Sequence, residues 1–416
     1  MDQKTVQRAI QRLVDKFQGT SEFFREDDTG LSLRQLHFQA RKFSREIAKA
    51  ISSGTYLFSQ SRAVVQRISG KDRTLFRMCW SDRIVHSVFA FELARRLEPR
   101  LGSRLFSYRK GLGPERAIRS LCRFLHRHRK SVLNPKDRGI FVYRADISAY
   151  GESISVLPDA RIWKVLAKEL GNESIHWLPK LQAAVDPSLR FFTSPPTDSR
   201  VKTGVPTGSA LVPVFNNLFL LDLDRKISGI ADVFYLRYGD DLCVASTRLD
   251  SFKKAVNELE SEIQQLGLSV SEKNSYYWTG CGRAPEKSVS AQGTQWIELL
   301  GSRISFQGRI SPTKEKQARM KRLLKRRLTS AFLSARFQNL APLQTLVFLI
   351  NAAKNFLDPT HPFSSPQAVL WKRPDRDEIW IAGMRRWVRI WALSKSLGRP
   401  FRPKILARWP TEAPLP

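Results

Sequence analysis

The chain has 416 residues, 42% of them apolar, and carries 70 Lys and Arg against 38 Asp and Glu, a net charge of +32. This excludes a disordered chain and leaves room for two or three subdomains with a substantial core. So large a basic excess implies a polyanionic partner, with nucleic acid ahead of an anionic membrane surface.

No apolar run in the sequence approaches the length that spans a bilayer, so no membrane partner is expected. The opening Met1-Asp2-Gln3-Lys4 lacks the apolar core of a secretory signal. Cys79, Cys122, Cys243 and Cys281 form neither metal-spaced pairs nor a dense framework, which fits a reduced, cytoplasmic protein.

Residues 1–53 read as helical, with Val6, Ile10, Leu13, Val14 and Phe17 at helical spacing and a second, basic helix from Leu33 to Ile51. Residues 54–77 read as strands around a turn at Gly70-Lys71-Asp72-Arg73. An amphipathic helix follows from Ile84 to Leu97, then a basic, glycine-containing loop from Tyr108 to Gly113 and a helix from Glu115 to Arg127. Phe141 to Ile147 is a buried-type strand. Gly204 to Asp224 reads as a Gly/Pro loop leading into one long apolar helix. A hairpin spans 233–246, a helix runs from Phe252 to Leu266, a short strand covers Leu268 to Val270, and a small strand pair begins at Ile297. From Pro312 the pattern is helical and basic.

The chemistry concentrates at Tyr238-Gly239-Asp240-Asp241, between two β-prone runs. Gly-Asp as a two-residue connection suits a type II′ turn, whose first central residue needs positive φ. Two adjacent carboxylates at a hairpin tip call for neutralisation, and a hard divalent cation supplies it. Alone, these four residues fit a solvated surface turn better than a metal site. Asp146, closing the strand at 141–147, would supply a further carboxylate if the fold brings it close, and is otherwise a cap or turn former. Gly204-Val205-Pro206-Thr207-Gly208-Ser209-Ala210-Leu211-Val212-Pro213 lets backbone approach a flat ligand, or is simply a structural loop.

Taken together and in this order, the motifs resemble a reverse transcriptase, most closely the bacterial group of retron, group II intron-like and abortive-infection or defence-associated enzymes. Asp146-Ile147 with Ser153-Ile154, the 204–213 loop through Asn216, the 238–241 hairpin, Leu266-Gly267-Leu268 with Lys273, and Leu300-Gly301 match the family's motifs from about residue 54 to about 330. The resemblance implies an α+β right-hand polymerase: fingers at 54–145, palm with antiparallel sheet at 146–311, and a helical, basic thumb with C-terminal extension at 312–416. It implies RNA-directed DNA polymerase activity with two Mg²⁺ ions, Mn²⁺ possible in their place, held by Asp146, Asp240, Asp241 and the Ile147 carbonyl. Arg73 and Lys71 would hold the incoming dNTP. Thr207 and Gly208 would border base and template. Lys273 would neutralise or protonate pyrophosphate, or is an ordinary surface lysine. The implied partners are an RNA template, in this group a dedicated noncoding RNA, and the DNA product.

Two positions depart from the family. Its members commonly place a bulky aromatic against the ribose 2′-hydroxyl at the second residue of the pair Tyr150-Gly151, and here that residue is glycine. Weak discrimination against ribonucleotides is expected unless Tyr150 or another side chain fills the space. Gly239 gives the Gly-Asp-Asp triplet familiar from RNA-dependent RNA polymerases, whereas the 204–208 segment follows the reverse transcriptase pattern.

The segment from Lys314 to Arg327 is a basic amphipathic helix, with Lys314, Arg319, Arg322, Lys325 and Arg326 as candidate nucleic-acid contacts. Trp371, Trp380, Trp387, Trp391 and Trp409 read as core packing ahead of base stacking. The acid-poor C-terminal stretch predicts no RNase H, endonuclease or integrase activity. Two other readings compete: an RNA-dependent, template-independent or protein-primed nucleotidyl polymerase, and a non-catalytic RNA-binding scaffold, for which three retained acids have no use.

Overall fold

The computed structural model describes residues 2–68, 71–193, 204–285 and 291–357. The chain divides into two compact units, one of residues 1–277 and 286–292, the other of residues 278–285 and 293–416. The expected tryptophan cluster at 371–409 lies outside the described residues.

The first unit opens with three helices, α1 (Gln3–Phe17), α2 (Leu33–Phe38) and α3 (Ala40–Ser53). Asp2 caps α1 by accepting from the Thr5 amide at 2.9 Å, and Val6, Ala9, Ile10 and Val14 bury one face. Ser32 and Gln35 form a reciprocal capping box on α2. A hairpin of β1 (Arg62–Ile68) and β2 (Lys71–Arg77) follows, with Ile68 opposite Lys71. Lys71 and Arg73 thus lie in the strand β2, where the sequence suggested a turn. The helix α4 (Trp80–Leu97) and the amphipathic α5 (Pro114–Ser131) follow. Asp27 ties the amino-terminal layer to α4, accepting from the Trp80 amide at 2.6 Å.

Next come β3 (Ile140–Ile147), the short α6 (Tyr150–Ser153), α7 (Arg161–Leu170), α8 (Ser174–Thr193), α9 (Val212–Phe219), α10 (Leu221–Ser228), β4 (Val233–Tyr238), β5 (Asp241–Ser246), α11 (Leu249–Gln265) and β6 (Val270–Trp278). The single long helix expected after the 204–213 loop is broken at Leu220, which caps α9 and starts α10. β6 runs to Trp278, well past the short strand expected at 268–270. α7 and α8 had no sequence assignment. With β7 (Gln292–Thr294), the sheet order is β4-β5-β3-β6-β7, and the β3–β5 and β4–β5 pairs are antiparallel. β3 is buried along most of its length, as an inner strand covered on both faces should be. α11 packs on one face, where Phe252 meets Phe141 and Glu260 accepts from the Tyr143 hydroxyl.

The second unit holds the three-stranded sheet β8 (Trp296–Leu299), β9 (Ser302–Ser305) and β10 (Ile310–Pro312), followed by α12 (Lys314–Phe337) and α13 (Pro342–Leu357). Leu300 and Gly301, both at positive φ (52° and 67°), make the tight turn of the β8–β9 hairpin. Among the described residues no helix is long and apolar enough to cross a membrane.

Candidate active site

Gly239 and Asp240 form the two-residue turn between β4 and β5. Only Gly239 has positive φ (67°), as a type II′ turn requires. The turn is held from below by Arg237, fully buried in β4. Its guanidinium reaches Asp224 of α10 through Nε–Oδ1 at 2.8 Å and Nη2–Oδ2 at 2.7 Å. It also donates to the carbonyls of Asn216, Asn217 and Gly239. Tyr235 adds a hydroxyl bond to Asp224 at 2.8 Å. Neither Arg237 nor Asp224 was singled out in the sequence, although an arginine inside an apolar strand was the signal available.

The ladder places Asp146 directly opposite Asp241. The Ile147 amide donates to the Asp240 carbonyl at 3.2 Å, joining the strand end to the turn. Three carboxylates therefore share the carboxyl end of β3 and the β4–β5 turn. Asp241 is half-buried, and its carboxyl is pushed up to about 6, by burial first and then by the charges of Asp240 and Asp146, with Arg144 opposing. Ala149, just beyond, sits at φ 45°, a strained conformation for a non-glycine residue.

The donor set suits a hard cation: carboxylates and a main-chain carbonyl, with one acid already driven toward its neutral form by crowding. Among the described residues no three such side chains converge closely enough to hold an ion. Asp146 instead accepts from the Ser271 hydroxyl at 2.7 Å.

The remaining expected residues divide. The 204–213 loop lies against both neighbours. Gly204 passes so close to Glu152 that a Cβ would fall 2.1 Å from its carbonyl oxygen, and Gly208, at φ 113°, would place one 2.9 Å from the Phe76 oxygen. The Thr207 carbonyl accepts from the Phe76 amide at 2.8 Å, so the loop is hydrogen-bonded to β2, the strand of Lys71 and Arg73. Ser209 is anchored to buried His86 at 2.7 Å, and burial lowers that imidazole to about 4. Tyr150 is buried, donating to the Asn216 carbonyl at 2.6 Å, so it does not occupy the space beside Gly151.

Lys273 is not brought to the carboxylates. It is exposed and pairs at 2.9 Å with Glu260 of α11, the helix that covers the Tyr143 face of β3. Asp146 and Arg144 alternate with Tyr143 and lie on the other face. Arg144, paired with Glu272 at 3.5 Å, is the cation that shares the carboxylates' side, and sequence reading missed it. In the second unit, Lys314, Arg319, Arg322, Lys325 and Arg326 are all exposed along α12.

The family model described as reverse transcriptase (RNA-dependent DNA polymerase) matches residues 160–304. Residues 160–304 thus form a reverse transcriptase (RNA-dependent DNA polymerase) domain, and the α+β architecture is that of a right-hand polymerase. The matched stretch begins after Asp146, whose place rests on the β3–β5 register. Enzymes of that family generally use divalent metals.

Similar solved structures include apo telomerase from Candida tropicalis truncated from its C-terminal domain, with 11% identity, TM-score 0.44, and coverage of 66% of this chain and 60% of that one. Telomerases in complex with a TWJ fragment of telomeric RNA also match at 11% identity. That from Candida albicans has TM-score 0.40, covering 87% of this chain and 66% of the other, and that from Candida tropicalis 0.45, covering 86% and 63%. The chain spans between 60% and 66% of the length of these structures, and likenesses this distant carry nothing about activity. No curated protein sequence matches it.

Proposed function

We propose that the protein is an RNA-directed DNA polymerase that extends a primer with dNTPs on an RNA template. The observation that carries this reading is the register that sets Asp146 across from Asp241 with Asp240 on the adjoining turn. Asp146, Asp240, Asp241 and the Ile147 carbonyl would hold two Mg²⁺ ions, with Mn²⁺ able to replace them. Such ions supply activation of the attacking hydroxyl and charge stabilisation of departing pyrophosphate.

The chain's own residues supply the scaffold for that chemistry. Arg237 and Asp224 fix the turn, and Arg144 offsets the crowded negative charge beside Asp241. Thr207 and Gly208, on a loop bonded to β2, would border base and template, and Lys71 and Arg73 of that strand would meet the triphosphate. The exposed cations of α12 would neutralise template–primer phosphates. The motif resemblance supports a bacterial setting, as a retron-like or antiviral-defence enzyme working in the cytoplasm with a dedicated noncoding RNA.

A second reading, a polymerase with relaxed sugar choice, is favoured by Gly151, where the bulky aromatic common in the family is missing and a Cβ would meet only Asn216 and Val212 at 3.7–3.9 Å. Primer extension on RNA and DNA templates tests both. Polymer made by the wild-type protein with Mg²⁺ or Mn²⁺, and lost in Asp240→Ala and Asp241→Ala, is the expected result. No polymer on any template would leave a nucleic-acid-binding scaffold as the better account.

A further inference from the structure

Helix α5 presents a positive ridge that the polymerase site does not use. Its inner face is committed to the core: Ala117, Ile118, Leu121 and Leu125 are buried, and Phe124 stacks on Phe234 of β4 at 5.2 Å. Arg116, Arg119, Arg123, His126, Arg127 and Lys130 are exposed. Helical geometry gathers these six into one arc of about 100°, running about 21 Å along the axis. Among the described residues, the one ion pair on this face joins Arg119 to Glu115. The ridge acts on a cation of its own chain: Arg104, packed over Phe234 at 4.9 Å, is lowered by burial first and then by the charges of Arg127 and Arg123. A polyanion laid on the ridge would relieve that repulsion.

The ridge is set apart from the carboxylates. Phe234, which Phe124 covers, lies toward the start of β4, and the Gly239–Asp240 turn follows its other end. Arg123, Arg127 and Lys130 therefore belong to the far part of the strand rather than to the turn.

The composition of the ridge restricts what can lie on it. A membrane-surface helix needs an exposed apolar face, and that of α5 is spent on the sheet. Unpaired strands are held by aromatic platforms, whereas the one Phe of α5 is turned inward onto Phe234. A helix fixed along one side to a sheet cannot enter a groove, so it meets only phosphates and sugars. In A-form RNA the major groove is narrow, which brings the phosphates of both strands within reach of one ridge. In B-form DNA that groove is about 12 Å wide and holds them apart. We propose that the exposed face of α5 is a second nucleic-acid site, which docks a double-helical RNA segment by its phosphates, separately from the template–primer duplex. It rests on charge and packing alone, not on the polymerase reading.

Binding of the full-length protein to a blunt, fully paired RNA hairpin tests it, measured at several salt concentrations beside a DNA hairpin of the same sequence. Arg123→Gln, Arg127→Gln and Lys130→Gln combined should weaken binding to the RNA hairpin by about 10-fold or more. The slope of log affinity against log salt should become shallower by about 3. Glutamine is close to Arg and Lys in helix propensity, so the exposed replacements leave the fold intact. Wild-type protein should hold the RNA hairpin about 10-fold more tightly than the DNA hairpin. Extension of a primed RNA template by the triple variant should stay within about 3-fold of wild type. An unchanged hairpin affinity in the variant, or equal wild-type affinity for the two hairpins, would overturn the proposal. So would a loss of extension as large as the loss of hairpin binding, which would make the ridge part of the template–primer path. Variant-sensitive hairpin binding with no extension on any template would remove the polymerase reading and leave this site standing. The comparison of hairpins uses the unaltered protein and does not depend on the variant.

Discussion

Arg237 and Asp224 form a two-pronged, buried ion pair beside the turn that carries Asp240. The pair joins a strand to a helix and hands the remaining guanidinium protons to three carbonyls, including that of Gly239. Removing one partner leaves a buried charge uncompensated, at a cost of about 3–5 kcal/mol. Arg237→Met and Asp224→Asn should therefore each lower the unfolding temperature markedly, read by thermal denaturation. The double replacement should lose less than the two single losses added together, because neither charge is stranded.

The crowding at Asp241 has a pH signature. Its folded-state value of about 6 stands above the ordinary 3.8, so the folded protein binds the proton more tightly than the unfolded chain. The stability linked to that proton is full below 3.8 and lost as pH rises through 6. In chelator, the unfolding temperature should carry a falling component between pH 5 and 7 that Asp241→Asn lacks. Mg²⁺ should raise the unfolding temperature more at pH 7.5 than at pH 5, where protons compete for the carboxylates. Equal effects at both values would count against a metal site at Asp241.

Three glycines near the site should respond differently to the same substitution. Gly204→Ala and Gly208→Ala drive a methyl into the Glu152 and Phe76 carbonyls, and each should cost about 2 kcal/mol or more. Gly151→Ala meets only ordinary contacts and should leave the unfolding temperature nearly unchanged. Denaturant titration of the three variants gives the order.

Arg144 and Lys273 lie on opposite faces of the sheet, and their replacement should separate cleanly. Lys273→Ala breaks an exposed ion pair with Glu260 and should change the extension rate little, within about 3-fold. Arg144→Ala removes the cation that opposes the charges around Asp241 and should shift the acid limb of the rate profile to higher pH. A large rate loss with Lys273→Ala would instead show that its ammonium leaves Glu260 during the reaction.

If the exposed cations of α12 meet phosphates, replacing Arg322 and Lys325 with Ala should weaken binding to RNA–DNA duplex. The slope of log affinity against log salt should become shallower by roughly 0.9 for each phosphate that is no longer neutralised. Filter binding at several salt concentrations reads this directly, and an unchanged slope would place the nucleic acid elsewhere.

The local chemistry of this site was legible in the residues themselves. Gly239-Asp240 between two β-prone runs specified a turn with one positive φ, because turn type depends on the two residues that form it. Motif order and basic excess pointed to a nucleic-acid polymerase for the same local reason. Distance-dependent facts were not legible. Placing Asp146 across from Asp241 depends on a strand register set by packing on both faces of β3. The tertiary fold alone turned Lys273 toward Glu260 and sank Arg237 onto Asp224. Residue type along a chain limits what a side chain can do, but its partners come from elements that meet only once the core is buried.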